Sequence, residues 1–169
     1  MAFVPETGAG LTNSNSYASV AQADSYFADR GNADWAALTN TAKEQALIKA
    51  TDFLEATYRS AWKGYRVNAT QALSWPRVEV TADTFPIPSS IVPLPVVNAC
   101  AELAIRATTT ELLADQGQTV KREKVDVLEV EYQDFSDPTE RYPLVNRLLL
   151  PFLLSSSGSG FASFRVTRT

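Results

Sequence analysis

The chain predicts a mainly α fold: a small helical bundle of three main helices plus a short C-terminal helix, with a β-hairpin or extended arm and a C-terminal strand. Three observations predict it. Between Ser19 and Tyr58, apolar residues recur at helical intervals behind capping signals. A second apolar stripe follows Pro95. Near residue 119 the pattern changes to β-formers alternating with polar residues.

The first dozen residues, rich in Gly, Thr, Asn and Ser around Leu11, read as a surface lead-in. Ser19 and Gln22 stand at capping-box spacing and open a helix through Ala23, Tyr26 and Phe27, closed by Gly31. Ala33 to Leu38 adds a short turn anchored by Trp35. A second box, Thr41 to Glu44, opens the long helix. Its buried stripe is Ala46, Leu47, Ala50, Phe53, Leu54 and Tyr58, with Thr57 as the one polar member. Lys43, Gln45, Lys49, Asp52, Glu55 and Arg59 fill the other face, and Gly64 ends the region.

Residues 65 to 93 read as irregular, because Pro76, Pro86, Pro88 and Pro93 forbid a continuous helix. Pro95 then suits the first turn of the third helix. Val96, Val97, Cys100, Leu103, Ala104, Ala107 and Leu112 form its stripe, with Glu102 and Arg106 paired outside. Residues 119 to 132 run from a basic half (Lys121, Arg122, Lys124) to an acidic half (Glu129, Glu131). Folded back, the halves pair as a hairpin; unfolded, they make one extended arm, and Val125-Asp126 is a poor tight turn. Pro143 to Leu150 makes the last helix, bounded by Pro151. The division is a helical domain at 1–154 and, at 155–169, a Ser/Gly linker with an alternating strand from Phe161.

Composition narrows the function. A chain of 169 residues is one domain, large enough to close its own core. Histidine is absent, which removes the commonest general base and metal ligand. The single Cys100, among apolar neighbours, reads as a buried structural thiol in a reducing compartment. The acidic stretch Asp126 to Glu140 lacks calcium-loop spacing, and no phosphate-binding glycine loop is present. Neither a signal peptide nor a membrane-spanning run is visible. The expectation is a protein with no catalysis, no metal and no cofactor.

One segment has nucleic-acid chemistry. Arg59, Lys63, Arg66 and Arg77 form a basic patch free of acids, interleaved with Tyr58, Trp62, Tyr65 and Trp75. Sequence-independent single-strand binders combine cations and stacking aromatics in this way. Against it stand a net charge of −4 and a pI near 4.9. The same aromatics also serve to pack the end of the long helix.

Gln71-Ala72-Leu73-Ser74-Trp75-Pro76-Arg77 followed by Val120-Lys121-Arg122-Glu123-Lys124-Val125, in collinear order with Asp24-Ser25-Tyr26-Phe27, Ala46-Leu47-Ile48-Lys49-Ala50-Thr51 and Ala101-Glu102-Leu103-Ala104, resembles the head–tail connector (adaptor) proteins of tailed bacteriophages. The resemblance covers roughly residues 15 to 150. It implies a structural virion protein at the head–tail interface, assembled in the host cytoplasm into a homo-oligomeric ring of about twelve copies. Its partners would be the portal protein and a tail-proximal connector or tail-terminator protein, with transient passage of double-stranded DNA through an acidic channel. Lys121, Arg122, Lys124, Glu129 and Glu131 would make inter-subunit or channel contacts. Phe161, Phe164, Arg165, Val166 and Arg168 would dock on portal or a neighbour by strand addition. The alternative is a replication-type single-stranded DNA-binding module using Arg59, Lys63, Arg66 and Arg77.

Overall fold

The computed structural model describes residues 2–113 and 142–154, together with the strand backbones at 123–125 and 128–130. Among these the architecture is mostly helical with small antiparallel strand pairs.

Helix α1 (Val20–Ala28) opens on the Ser19–Gln22 capping box, with Ser19 accepting from the Gln22 amide and the Gln22 side chain returning to Ser19. Helix α2 (Ala33–Ala36) is one turn, capped by Asn32 and plugged into the core by Trp35. Helix α3 (Asn40–Tyr58) is capped by Thr39, whose hydroxyl accepts from Ala42, so it starts before the expected Thr41 box. Its stripe Ala46, Leu47, Ala50, Phe53, Leu54 and Tyr58 is buried as the period requires.

Lys43 departs from the expected solvent face. It is buried and pairs with Asp24 of α1 at 2.8 Å, while the Trp35 indole N–H donates to the same carboxylate. Burial alone pushes the Asp24 carboxyl up, but the bonds from Lys43 and Trp35 and the lysine charge outweigh it and hold it below its usual value.

Helix α4 (Leu94–Ala107) carries Pro95 in its first turn and packs against α3, α5 (Pro143–Leu149) and α1. It is buried well beyond one stripe: Val96, Val97, Ala99, Cys100, Ala101, Leu103, Ala104 and Ala107 are all covered. Its outer face bears the expected Glu102–Arg106 pair at 2.8 Å, and Tyr26 donates to Glu102 from α1. Helix α5 passes into a 3-10 turn, Leu150–Phe152.

The N-terminal residues are not a loose lead-in. The buried Glu6 carboxylate accepts from the amides of Gly8, Gly10 and Leu11 and from the Ser14 hydroxyl, at 2.9–3.0 Å. The following Ser16 and Tyr17 are buried as well, and the Tyr17 amide donates to Thr51 of α3 at 3.1 Å. The lead-in is therefore fastened to the core.

The stretch read as irregular also holds order. β1 (Tyr65–Arg66) pairs antiparallel with β2 (Arg77–Val78), and β3 (Thr81–Ala82) with β4 (Phe85–Pro86). Further on, β5 (Glu123–Val125) and β6 (Leu128–Val130) pair antiparallel in the register Lys124↔Glu129. The expected strand from Phe161 lies outside the described residues.

Candidate nucleic-acid interface

The segment after α3 is built from backbone carbonyls turned toward cations. Arg77, expected in the basic patch, faces inward and is buried. Its Nε donates to Lys63 O at 2.7 Å, Nη2 to Gly64 O at 2.6 Å and Nη1 to Ser74 O at 3.2 Å. This three-carbonyl clamp ties β2 to the turn after α3 and to the loop before it. Burial pushes the guanidinium down from its usual value, with nearby Tyr17 and Glu55 acting the other way; Arg stays charged regardless.

Gly64 makes the clamp possible. At φ +66, a Cβ there would lie 2.1 Å from Val78 O and 2.8 Å from Val80 Cγ2. On the opposite side the loop is fixed to α3 by Glu55. Its carboxylate accepts from the Ser74 amide at 2.9 Å, from the Ser74 hydroxyl at 2.8 Å and from the Tyr17 hydroxyl. Burial, then the Glu55 charge and its hydrogen bond, push the Tyr17 phenol well up. Gln71 completes the loop, donating to Leu73 O at 2.8 Å and Pro76 O at 3.0 Å.

Of the interleaved aromatics, only one faces solvent. Tyr58, Trp62 and Trp75 are core residues, and Trp75 meets Trp62 and Phe152 edge-on at 5.7 and 5.9 Å. Tyr65 is 67% exposed. Arg59 is exposed at the end of α3, and its side chain forms no hydrogen bond or ion pair among the described residues. Lys63 Nζ donates to Pro151 O at 2.7 Å and Thr81 O at 3.3 Å, and a third ammonium proton is left over. Arg66 donates to Gln71 O at 3.0 Å and Ala69 O at 3.2 Å, which uses two of its five N–H groups. The structure thus keeps Arg59, Lys63, Tyr65 and Arg66 at the surface segment and takes Arg77 out of it.

The β3–β4 hairpin adjoins this segment through Lys63. Its two turn residues, Asp83 (φ 49) and Thr84 (φ 72), both take the left-handed backbone of a type I′ turn. Phe85, next along, is 72% exposed. Sequence reasoning missed it, because a proline-flanked phenylalanine reads as loop.

Elsewhere, Cys100 is fully buried, and burial pushes its thiol up to about 11, so it is a packing residue. No group of metal-binding side chains occurs among the described residues. No helix among them is long and apolar enough to cross a membrane. Lys121, Arg122, Glu131, Phe161, Phe164, Arg165, Val166 and Arg168 lie outside the described residues. Lys124 and Glu129 are placed by backbone pairing alone.

Fold and site together define a small, acidic, mainly helical protein with a basic, aromatic-bearing segment after α3 whose sequence carries no acidic residue from 56 to 78. A family profile described as "Putative DnaT-like ssDNA binding protein" matches residues 1–169, and the chain belongs to that family. No curated protein and no solved structure matches it.

Membership corrects the connector resemblance. The virion placement, the structural-ring role, the portal and tail-side partners and the passage of double-stranded DNA fall with it. A physical reason is visible in the motif that carried it. In Gln71 to Arg77, the side chains of Gln71, Ser74 and Arg77 all bond within the molecule, and Trp75 is core. The motif reports how a loop closes on a helix, and that closure is independent of ring assembly.

Proposed function

We propose that this protein binds single-stranded DNA without catalysis, through the surface formed by Arg59, Lys63, Tyr65 and Arg66. One observation carries the reading: from residue 56 to 78 the chain has no acidic residue, and this stretch presents an exposed tyrosine among three cations with donors still open. Phosphates meet Arg59 and the remaining donors of Lys63 and Arg66, and a base stacks on Tyr65. Base stacking is sequence-tolerant, so the binding is too. Family membership supports the same ligand class.

The net charge of −4 sets the character of the complex. With about three phosphates neutralised, log affinity falls with log salt at a slope of about −2, as counterion release from single strands dictates. Raising salt from about 50 to about 200 mM then weakens binding about twentyfold. Fluorescence anisotropy of a labelled oligothymidylate at both salts tests this. The expected outcome is micromolar binding with that slope, and its loss in Arg59→Glu/Tyr65→Ala. Absence of binding at low salt, or binding untouched by that double substitution, overturns the proposal.

A further inference from the structure

Resting on the single-strand reading, we infer that Phe85 on the β3–β4 hairpin is a second base-stacking position, so that the strand runs from Tyr65 past Lys63 to the hairpin. Phe85 is the most exposed large hydrophobic side chain among the described residues, at 72%. A ring this exposed contributes little to the core.

The hairpin carrying it is held in a costly way. A type I′ turn favours Asn-Gly, yet here it is made by Asp83 and the β-branched Thr84, both at positive φ. Strain of that kind persists where the surroundings enforce it, and it gathers at ligand contacts. Its base is anchored by Ile87 N donating to Val80 O at 2.9 Å and by Lys63 Nζ on Thr81 O. Lys63 is therefore shared between the hairpin and the proposed phosphate surface.

The occupant is a base and not a protein strand. Pro86 lies within β4 and Pro88 just beyond, so this edge lacks the amide donors that strand addition needs. Asp83 in the turn and Glu79 just before β3 are both exposed, and their charges disfavour a phosphate on this hairpin. Contact at this point is consequently stacking, with the backbone held at Lys63.

The experiment uses the full chain. Phe85→Ala is expected to bind a labelled oligothymidylate of about thirty residues roughly tenfold more weakly, with the salt slope unchanged, because stacking releases no counterions. Its melting temperature stays that of the wild type. Phe85→Trp provides a direct readout: the native Trp35, Trp62 and Trp75 are buried, so the new indole is the one quenched by acrylamide. Saturating oligothymidylate should shield it and shift its emission. Wild-type binding with Phe85→Ala unchanged, or an indole blind to oligonucleotide, overturns this inference and leaves the single-strand reading standing. No binding by the wild type overturns both. A change in sedimentation of Phe85→Ala without DNA would mark the ring as a protein contact and overturn it as well.

Discussion

Replacing Arg77 by Met separates a folding residue from a DNA contact. The substitution keeps the buried stem but removes donors from Lys63 O, Gly64 O and Ser74 O. A bond from a charged donor contributes about 1.5–3 kcal/mol, and three add less than their sum because they share one side chain. The guanidinium's own desolvation offsets part of this. A net loss of about 3–4 kcal/mol follows, in the range for breaking a buried charged network. For a chain of this size that lowers Tm by about 10 °C. Arg77→Lys reaches one carbonyl at most and should fall between. Thermal and urea unfolding followed by tryptophan emission measure the loss, and anisotropy on the still-folded variant at low temperature should return the wild-type affinity. A variant with unchanged Tm and abolished DNA binding would refute the clamp and return Arg77 to the interface.

Gly64→Ala should destabilise by more than about 2 kcal/mol, since its Cβ meets the Val78 backbone carbonyl at 2.1 Å and the backbone must shift; thermal melts check it. Cys100 should resist a thiol reagent at pH 8, reacting at the rate of global opening, because its thiol sits near 11 and is fully buried. Asp24, held below its usual pKa, contributes stability that is complete above about pH 5 and lost as pH falls through its folded value. Asp24→Asn should flatten that acid limb by under about 1 kcal/mol, as the carboxylate is 43% exposed. Asp52, pushed up by burial and then by Glu55, runs the opposite way, its penalty easing on acidification.

The helices were legible because their signals are local. The Ser19–Gln22 box, the stripe from Ala46 to Tyr58 and the Pro95 start each lie within a few turns of chain. Lys43 was misread because its partner Asp24 lies on another helix, and helical period alone assigns any lysine to solvent. β1 to β4 escaped because two-residue strands carry no alternation to read. Glu6 escaped because its partners are mainly backbone amides, which no side-chain pattern records. In the candidate site, Arg59, Lys63 and Arg66 were singled out as cations interleaved with aromatics, and the structure leaves their side chains at the surface. Arg77 was assigned to the same surface because a cation bound to carbonyls looks, in sequence, like a cation awaiting phosphate. Phe85 needed the hairpin, and the hairpin needed the fold.

The Glu55 clasp has a kinetic meaning. It joins Tyr17, Glu55 and Ser74, partners separated by 38, 19 and 57 residues, so it closes only after long stretches of chain have come together. Contacts of such separation form slowly, once loop-closure entropy has been met. The loop that backs the Tyr65 surface hangs on this closure, whereas α3 can form earlier on its own local contacts. The surface proposed to bind single strands is accordingly expected to form late in folding, after α3, and to be incomplete in partly folded chains.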